Sequence, residues 1–488
     1  MSFFPDRTSP VALHRQLSTH LRDAILGGEL AGGTRLHASR ALAEQLGVSR
    51  NTVTQAIDEL VAEGYLETRV GAGTYVASGL TLHARRASEA APAEPRLSLR
   101  ALRFAPHLHD PDGGSDPALF RPGVPDLTLF PDAVWRRVAN RWLDSTATRG
   151  YGDPLGYRLL RDAIAAHLRQ TRGVALGADN VVITDGTRAA LALIADVLLD
   201  PGDSVAVENP GYAAMNDAAG AAGATIVPVS LDGEGFDVAR APAGVRLAYV
   251  TPSHQYPTGV VMGLRRRLDL LEWARAANAY VIEDDYDAEF RYDGAPLPAL
   301  QGLDPARVLY VGTFSKTLAP GLRVAWIVVP DALVDAFAAA RGVTSGGPSF
   351  PLQAALAAFV AEGHFALHVR RASLRYRERR DALTGALERR LGGEVRVQGA
   401  ATGLHVVARF DGDDVALAAA AAAHDVVAPA LSRYALDGRG PTGSVLGFAA
   451  GGPAQIERAA ERLERAFAQL RHPLHDRNRT STAAAPNA

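Results

Sequence analysis

Short apolar runs alternate with helical segments along most of this 488-residue chain, and this alternation restricts its fold more than any other feature. Six runs are rich in β-branched and aromatic residues, at 180–184, 204–208, 246–251, 280–283, 308–312 and 324–329. Strands joined through helices usually pair in parallel and are buried on both faces. We therefore expect an α/β unit over residues 118–474, built on a mostly parallel sheet with helices on both sides.

Three other regions differ from this unit in composition. Residues 9–77 have helical patterns followed by a short glycine-containing hairpin. Residues 78–117 are rich in Ala, Pro, Arg, His and Asp without periodicity, which predicts a linker. Residues 475–488 are polar and alanine-rich, and we expect a disordered tail.

Composition excludes several classes of function. The chain has no cysteine, which excludes disulfides, thiolate metal sites and cysteine nucleophiles. A formal net charge of −2 gives no overall signal for nucleic acid or acidic lipid. We see neither a signal peptide nor an apolar run long enough to span a membrane, so we expect a cytoplasmic protein with no membrane partner.

The N-terminal region has the pattern of a winged helix-turn-helix. Helices are predicted over 11–26 and 39–46, and Gly47 follows the second helix. Ser49 is placed to cap a third helix that runs through Ala62. Residues 65–76 predict a two-stranded wing with Gly71-Ala72-Gly73 at its tip. Seven arginines and eight acidic residues balance in residues 1–79, so an ordinary helical subdomain with a hairpin is the alternative.

Residues 13–76, from LHRQLSTHL to VGAGTYV, resemble the winged helix-turn-helix of the GntR superfamily along their whole length. One departure is His37-Ala38, where that family often has proline and serine. The resemblance implies binding to double-stranded operator DNA, with the second helix of the motif in the major groove. It implies main DNA contacts from Arg40, Arg50, Asn51, Thr52 and Thr54, with Arg35 and the wing near Ala72 as accessory contacts.

Lysine occurs once among the 51 lysine and arginine residues, at Lys316. Arginine can replace lysine as a surface charge, but its guanidinium cannot condense with an aldehyde. Pyridoxal 5′-phosphate (PLP) is the commonest reason for a protein to require that amine. The alternative is a surface lysine that survived by chance.

The residues around Lys316 favour the cofactor. Residues 313–323, TFSKTLAPGLR, resemble the SK-x-x-x-PG-x-R signature of fold-type I PLP enzymes. The resemblance implies that Lys316 forms the internal aldimine. It also implies that Ser315 and Arg323 hold the cofactor phosphate, with bidentate hydrogen bonds from the arginine.

An apolar run ends in Glu283-Asp284-Asp285-Tyr286. A carboxylate here can keep the pyridine nitrogen protonated, and a phenol two residues later points the same way and can bond the ring O3′. The resemblance assigns these roles to Asp284 and Tyr286. A solvated strand end and a metal site with Asp285 and Asp287 are the alternatives. We predict no metal, because no histidine at ligand spacing accompanies the acids.

Other segments match the same family of enzymes. A strand–glycine–helix turn at 184–188 forms an anion-binding turn through its backbone N–H groups. The resemblance assigns phosphate contacts to Gly186, Thr187 and Arg188, ring stacking to Tyr212, and the position of an O3′-bonding asparagine to Tyr256. Tyr151 resembles the tyrosine that reaches the phosphate of the neighbouring subunit, which implies a homodimer.

A GntR-type domain joined to an aminotransferase-like domain resembles the MocR/GabR regulators. The resemblance implies a small α/β winged helix-turn-helix domain, a large fold-type I PLP-dependent transferase domain and a head-to-tail, domain-swapped homodimer. It implies transcriptional control by PLP itself, as in vitamin B6 sensors, or by PLP with an amine or amino acid. The alternatives are a working aminotransferase with an accessory N-terminal domain and a structural nucleoid protein, which would not explain the cofactor residues.

One departure from aminotransferases concerns the ligand. Those enzymes bind a substrate carboxylate through an arginine on a late strand, where this chain has Val445. GabR-like members carry another arginine two residues after the stacking tyrosine, where this chain has Ala214. The obvious bidentate partners for a carboxylate are therefore missing. Arg433, Arg341 and Arg188 are the candidates to substitute for them.

Overall fold

The computed structural model describes residues 3–69, 71–78, 97–103, 119–143, 145–294, 297–344, 347–438 and 440–471. The chain forms two compact units, Met1–Leu97 and Ser98–Ala488. The predicted tail at 475–488 and most of the predicted linker at 78–117 lie outside the described residues. A short helix, α4 (Leu99–Leu102), lies within the predicted linker, and Arg100 pairs with Asp196 of the larger unit at 3.0 Å.

In the smaller unit, the described residues form three helices and one hairpin, α1 (Leu13–Leu26), α2 (Ser39–Leu46), α3 (Arg50–Ala62), β1 (Leu66–Arg69) and β2 (Gly73–Val76). Gly47 ends α2 in the left-handed conformation at φ 65°. The Ser49 hydroxyl accepts from Thr52 N at 3.1 Å and caps α3 as predicted. Leu17, Leu21 and Leu60 are fully buried in its core, and Val61 is half-buried.

An eight-stranded sheet forms the centre of the larger unit. Its strands are β3 (Val181–Thr184), β4 (Ser204–Asn209), β5 (Thr225–Asp232), β6 (Gly235–Phe236), β7 (Leu247–Val250), β8 (Tyr280–Asp284), β9 (Val308–Thr313) and β10 (Ala325–Val328). Their order is β3-β10-β9-β8-β7-β4-β5-β6. Neighbours from β9 to β5 are parallel, while β10 is antiparallel to β9 and β3. The sheet is mostly parallel, and each of the six predicted runs matches one of its strands to within one residue at either end.

Two strands of this sheet were not predicted. Strand β5 contains Pro228, which has no N–H to donate, and most of its residues are only partly buried. Its sequence therefore lacks the continuous apolar run that marked the other strands. Strand β6 is two residues long and pairs only with the end of β5.

Helices pack on both faces of this sheet. The described α-helices that follow α4 are α5 (Asp132–Leu143), α6 (Arg158–Arg172), α7 (Thr187–Leu198), α8 (Ala213–Ala222), α9 (Leu264–Ala276), α10 (Leu300–Leu303), α11 (Val334–Thr344), α12 (Phe350–Ala361), α13 (His364–Leu391), α14 (Asp414–Ala423) and α15 (Pro453–Arg471). Successive residues of a strand point to opposite faces. Accordingly Ile282 packs in a core with Leu191 of α7, and its neighbour Val281 packs in another with Leu270 of α9.

A smaller antiparallel sheet follows in the chain, formed by β11 (Arg396–Gln398), β12 (His405–Arg409) and β13 (Gly443–Gly447). Its core includes Val406 and Leu446, packed with Leu387 of α13 and Leu463 of α15. This second sheet was not distinguished in the sequence. Among the described residues, no single helix is long and apolar enough to cross a membrane, although the bent pair α12 and α13 passes a test of length and composition.

Packing of β9 on β10 predicts a destabilising substitution. A Cβ at Gly312 would lie 2.4 Å from Trp326 Cζ2. We expect Gly312→Ala to lower the stability of the larger unit by about 1–3 kcal/mol, because the indole has to move within a packed core. Thermal unfolding measures the effect. Gly342→Ala in α11 is the control, since a Cβ there has no neighbour within 4 Å. Equal unfolding midpoints for Gly312→Ala and the wild type would contradict this packing.

Candidate functional site

The predicted cofactor segments meet at one edge of the large sheet. Strands β3, β4, β7, β8 and β9 run in the same direction, so their carboxyl ends lie together. The anion-binding turn follows β3, the segment with Tyr212 follows β4, and Tyr256 lies beyond β7. Asp284 ends β8, and Lys316 lies shortly after β9. This edge is where open α/β sheets bind their ligands.

Lys316 presents its amine inside this edge. Its Nζ donates to the carbonyl oxygen of Gly123 at 2.6 Å. The residue as a whole is half-buried, but loss of water around the amine lowers the pKa of Lys316. The carboxylates of Asp287 and Asp284 oppose that shift. A lysine whose pKa is lowered by desolvation is more readily a neutral nucleophile.

Asp284 lies at the end of β8 with a side chain that is 3 % exposed. The Tyr249 hydroxyl donates to its Oδ2 at 2.7 Å. Its Oδ1 is buried, and the described residues give it no hydrogen-bond partner. Burial raises the pKa of Asp284 to about 7, and the hydrogen bond from Tyr249 opposes the rise. A buried carboxylate oxygen without a donor is unusual and calls for a ligand that supplies one.

The turn after β3 is shaped for an anion. Gly186 precedes α7 with φ 95°, a conformation that favours glycine, and Thr187 begins the helix. Arg323 also has positive φ, at 52°, and its Nη2 donates to the Asp185 carbonyl oxygen at 2.9 Å. A Cβ at Gly186 would lie 2.8 Å from that Nη2. Backbone N–H groups at the start of a helix and a guanidinium therefore converge on one point.

Two other predicted phosphate ligands are less clearly placed. The Arg188 guanidinium pairs with Asp217 at 3.0 Å, and its side chain is more than half exposed. Ser315 is half-buried, and its backbone N–H donates to Thr313 Oγ1 at 3.1 Å. Tyr151 is fully exposed in the single chain.

Four tyrosines surround the space above β4, β7 and β8. Tyr256 makes edge contacts with Tyr212, Tyr286 and Tyr434 at centroid distances of 5.8, 6.0 and 5.4 Å. The Tyr286 hydroxyl donates to the His254 carbonyl oxygen at 2.9 Å, and the Tyr256 hydroxyl lies 3.4 Å from that of Tyr434. Tyr434 was not singled out in the sequence, because it lies 178 residues from Tyr256.

The positions that lack arginine are apolar in the structure. Val445 is fully buried with Val407 and Leu431. Ala214, near the start of α8, is buried in the core that also contains Leu191 of α7. Of the candidate substitutes, Arg433 is exposed and Arg188 is paired with Asp217. Arg341 is buried, and its Nε and Nη2 have no hydrogen-bond partner among the described residues. Burial lowers the pKa of Arg341, and the Asp185 carboxylate opposes this shift.

A buried group of titratable side chains was missed in the sequence. His254 Nδ1 lies 3.0 Å from Asp287 Oδ2, and ligand atoms of His254, Asp287 and His405 all lie within 4.8 Å of one another. The His405 Nε2 hydrogen-bonds the Pro257 carbonyl oxygen at 2.9 Å, and burial holds the pKa of His405 well below its usual range. No local pattern marks this group, since His254 is 33 residues from Asp287.

In the smaller unit, the predicted DNA contacts lie on α2, on α3 and at the wing. Arg40, Arg50, Asn51 and Thr54 are exposed, and Thr52 is half-buried with its hydroxyl 2.8 Å from Ser49 Oγ. Arg35 lies on the wing, with its guanidinium carbon 6.0 Å from the centre of the Tyr75 ring. A Cβ at Gly73 would lie 3.2 Å from Arg35 Nε. Ala72 at the wing tip is half-buried.

Two family models match the chain. Residues 13–76 match bacterial regulatory proteins of the gntR family, and residues 123–463 match aminotransferase class I and II. Among solved structures, a multiple substrate aminotransferase from Thermococcus profundus superposes with a TM-score of 0.70 at 26 % identity, covering 78 % of this chain and 98 % of that one. An archaeal alanine:glyoxylate aminotransferase also superposes with a TM-score of 0.70, at 27 % identity, covering 76 % of this chain and 98 % of that one.

Curated relatives span both units. The probable rhizopine catabolism regulatory protein MocR of Rhizobium meliloti is 40 % identical over 473 residues, or 95 % of this chain and 96 % of the relative. The pyridoxine biosynthesis transcriptional regulator PdxR of Corynebacterium glutamicum is 32 % identical over 90 % of this chain and 92 % of the relative. The transcriptional regulator TauR of Rhodobacter capsulatus is 36 % identical over 79 % of this chain and 82 % of the relative.

The buried carboxyl of Asp284 predicts a pH-dependent stability. Its folded pKa of about 7 lies above the ordinary aspartate value, so the unfolded chain ionises first as pH rises. The stability contributed by Asp284 is therefore full below about pH 4 and is lost as pH rises towards 7. Asp284→Asn cannot ionise. Both proteins are measured without added ligand. The unfolding midpoint of Asp284→Asn minus that of the wild type should increase from pH 4 to pH 7 and stay constant above pH 7. A difference that is constant across this range would contradict the burial of the carboxyl.

Proposed function

Since this chain belongs to the MocR/GabR-type family and is a DNA-binding transcriptional regulator, we propose that PLP bound at Lys316 controls its affinity for operator DNA, alone or together with an amine or amino acid. One observation carries the proposal. The single lysine of the chain has a desolvated amine that is influenced by the Asp284 carboxylate, and the described residues give one buried oxygen of that carboxylate no donor. The aminotransferase class I and II family, which this unit matches, implies PLP as the cofactor.

The residues present fit PLP at its ring nitrogen, its phosphate and its aldehyde. Asp284 Oδ1 is buried and has no partner within the described part of the chain, as expected for an oxygen that would face a protonated ring nitrogen. Gly186 leaves the space that a Cβ would fill beside Arg323, which suits a phosphate. Lys316 supplies the primary amine between these two points. When bound, PLP supplies an aldehyde that captures amines and a ring that withdraws electrons.

Each residue then has a distinct task. Lys316 would hold the cofactor through its amine, and Asp284, which accepts a hydrogen bond from Tyr249, would keep the ring nitrogen protonated. Gly186, Thr187, Ser315 and Arg323 bind the phosphate, with Arg188 in reach of the same turn. Tyr212 would lie against the cofactor ring, and Tyr256 and Tyr286 would supply hydroxyl groups near its O3′; at present these hydroxyls contact Tyr434 and the His254 carbonyl oxygen. Tyr151, exposed on one chain, completes the phosphate site of its partner in a head-to-tail homodimer.

Two kinds of signal are consistent with the site. PdxR is named for pyridoxine biosynthesis, so PLP itself is one candidate signal for this chain. MocR is named for rhizopine catabolism, so a small molecule captured at the same site is the other. Val445 is buried among apolar residues and offers no cation to a carboxylate. We therefore favour an amine over an α-amino acid as the second ligand.

A working aminotransferase is the alternative function. The lysine, the acid and the anion-binding turn would support amine capture, but turnover also requires a substrate held in one orientation. The match to transcriptional regulators over both units, and the exposed recognition helix α3, favour regulation.

The proposal is tested by measuring DNA affinity with and without PLP, on an operator that the protein itself selects from random duplex DNA. We expect the wild type to change its affinity by about 5- to 150-fold, the usual range of allosteric coupling, on addition of PLP alone or of PLP with an amine. Lys316→Arg keeps the charge but cannot bond an aldehyde, so it should bind the operator without responding. If Lys316→Arg responds as the wild type does, covalent capture is not the signal.

The DNA contacts are tested by a matched pair of arginines. Arg50→Ala at the first residue of α3 should weaken operator binding by about 1–3 kcal/mol if the side chain contacts a base edge. Arg22→Ala is the control, because Arg22 pairs at 2.6 Å with Glu63 at the other end of α3. Fluorescence anisotropy with labelled operator measures both. Equal losses for the two variants would remove Arg50 from the interface.

A further inference from the structure

A segment that passes over Lys316 is fastened to the fold at its N-terminal end. We call residues 119–126 the strap. Phe120 forms a β-bridge with Gly447, whose N–H donates to the Phe120 carbonyl oxygen at 2.8 Å. A Cβ at Gly447 would lie 2.0 Å from the Arg121 carbonyl oxygen, so only glycine lets the strap lie this close to β13.

The other end of the strap is held by α13. Asp126 pairs with Arg379 at 2.7 Å, and both side chains are mostly buried. The Asp126 N–H donates to the Tyr376 hydroxyl at 2.9 Å. The strap is thus held near both ends, at Phe120 and at Asp126, and Gly123 lies between these two points.

The contact at the middle is Lys316. Its Nζ donates to the Gly123 carbonyl oxygen at 2.6 Å, a short hydrogen bond from a group that carries charge when protonated. Gly123 has φ 74°, and a Cβ there would lie 3.1 Å from Nζ. Glycine is required both by the backbone conformation and by the closeness of the amine.

The number of hydrogens on that nitrogen depends on its chemistry. A lysine ammonium has three N–H donors. When the neutral amine condenses with an aldehyde, its nitrogen forms a double bond to the carbonyl carbon, and the carbonyl oxygen leaves as water with both amine hydrogens. The nitrogen then keeps at most the one proton it gains from solvent, and its direction is set by the new bond.

We propose that the Gly123 carbonyl positions the Lys316 amine, and that covalent capture of this amine releases the middle of the strap. The strap follows directly on the predicted linker 78–117, which joins the larger unit to the DNA-binding unit. Release therefore acts on the part of the chain through which the two units are connected. The inference rests on the proposed capture of PLP by Lys316. It adds that the hydrogen bond between Lys316 and Gly123 is lost when PLP is captured.

Hydrogen–deuterium exchange of peptides that cover 119–126 tests the release in the full-length protein. In the wild type, exchange should be about ten- to a hundredfold faster with PLP than without it, as expected for loss of one hydrogen bond to a charged group. Lys316→Ala should exchange fast with or without PLP. Slower or unchanged exchange in the PLP-loaded wild type would overturn the inference.

Failure of the inference is distinguishable from failure of the proposed function. Borohydride reduction and intact mass show whether the wild-type chain has captured PLP. If the mass increases and strap exchange does not change, the proposed cofactor site stands and the inference is wrong. If the mass does not increase, the cofactor proposal is wrong. The inferred release of the strap is then wrong as well, because it depends on capture of PLP.

A matched pair of glycines tests the positioning contact separately. Gly123→Ala and Gly244→Ala share the strain of a left-handed conformation, at φ 74° and 76°. Only Gly123→Ala places a methyl group against Nζ, because a Cβ at Gly244 has no neighbour within 4 Å. Without PLP, strap exchange in Gly123→Ala should be about tenfold faster than in the wild type, and in Gly244→Ala it should be unchanged. Equal strap exchange in the two variants would contradict the contact.

Discussion

The site depends on keeping one amine in a place with little water. Desolvation lowers the pKa of Lys316, and the carboxylates of Asp287 and Asp284 limit the fall. An amine under these opposing influences stays inside the fold and is also more readily deprotonated for attack on an aldehyde. Arginine cannot meet the second requirement, which explains why the only lysine of an arginine-rich chain lies here.

The parallel strands arrange the other groups around that amine. One end of the site has positive character from the start of α7 and from Arg323, and it suits a phosphate. The other end has the buried carboxyl of Asp284, which suits a protonated ring nitrogen. A ligand with an anionic group and a basic ring is therefore oriented before any covalent bond forms. The strap adds a contact from the lysine to the segment that continues from the linker.

Local sequence signals predicted much of this arrangement, and long-range contacts could not be predicted. The cap at Ser49, the wing and the six strand runs each depend on a few adjacent residues, and the structure places them where the sequence indicated. Strand β5 was missed because Pro228 interrupts its apolar run. The contacts of Lys316 with Gly123 and of His254 with Asp287 join residues 193 and 33 positions apart, and no local pattern marks either.

Peptide mapping after borohydride reduction tests the central claim most directly. Protein incubated with PLP, reduced, digested and analysed by mass spectrometry should carry the mass of the reduced cofactor on the peptide that contains Lys316, and on no other peptide. An unmodified Lys316 peptide under these conditions would contradict the account, because no other side chain of this chain can take its place.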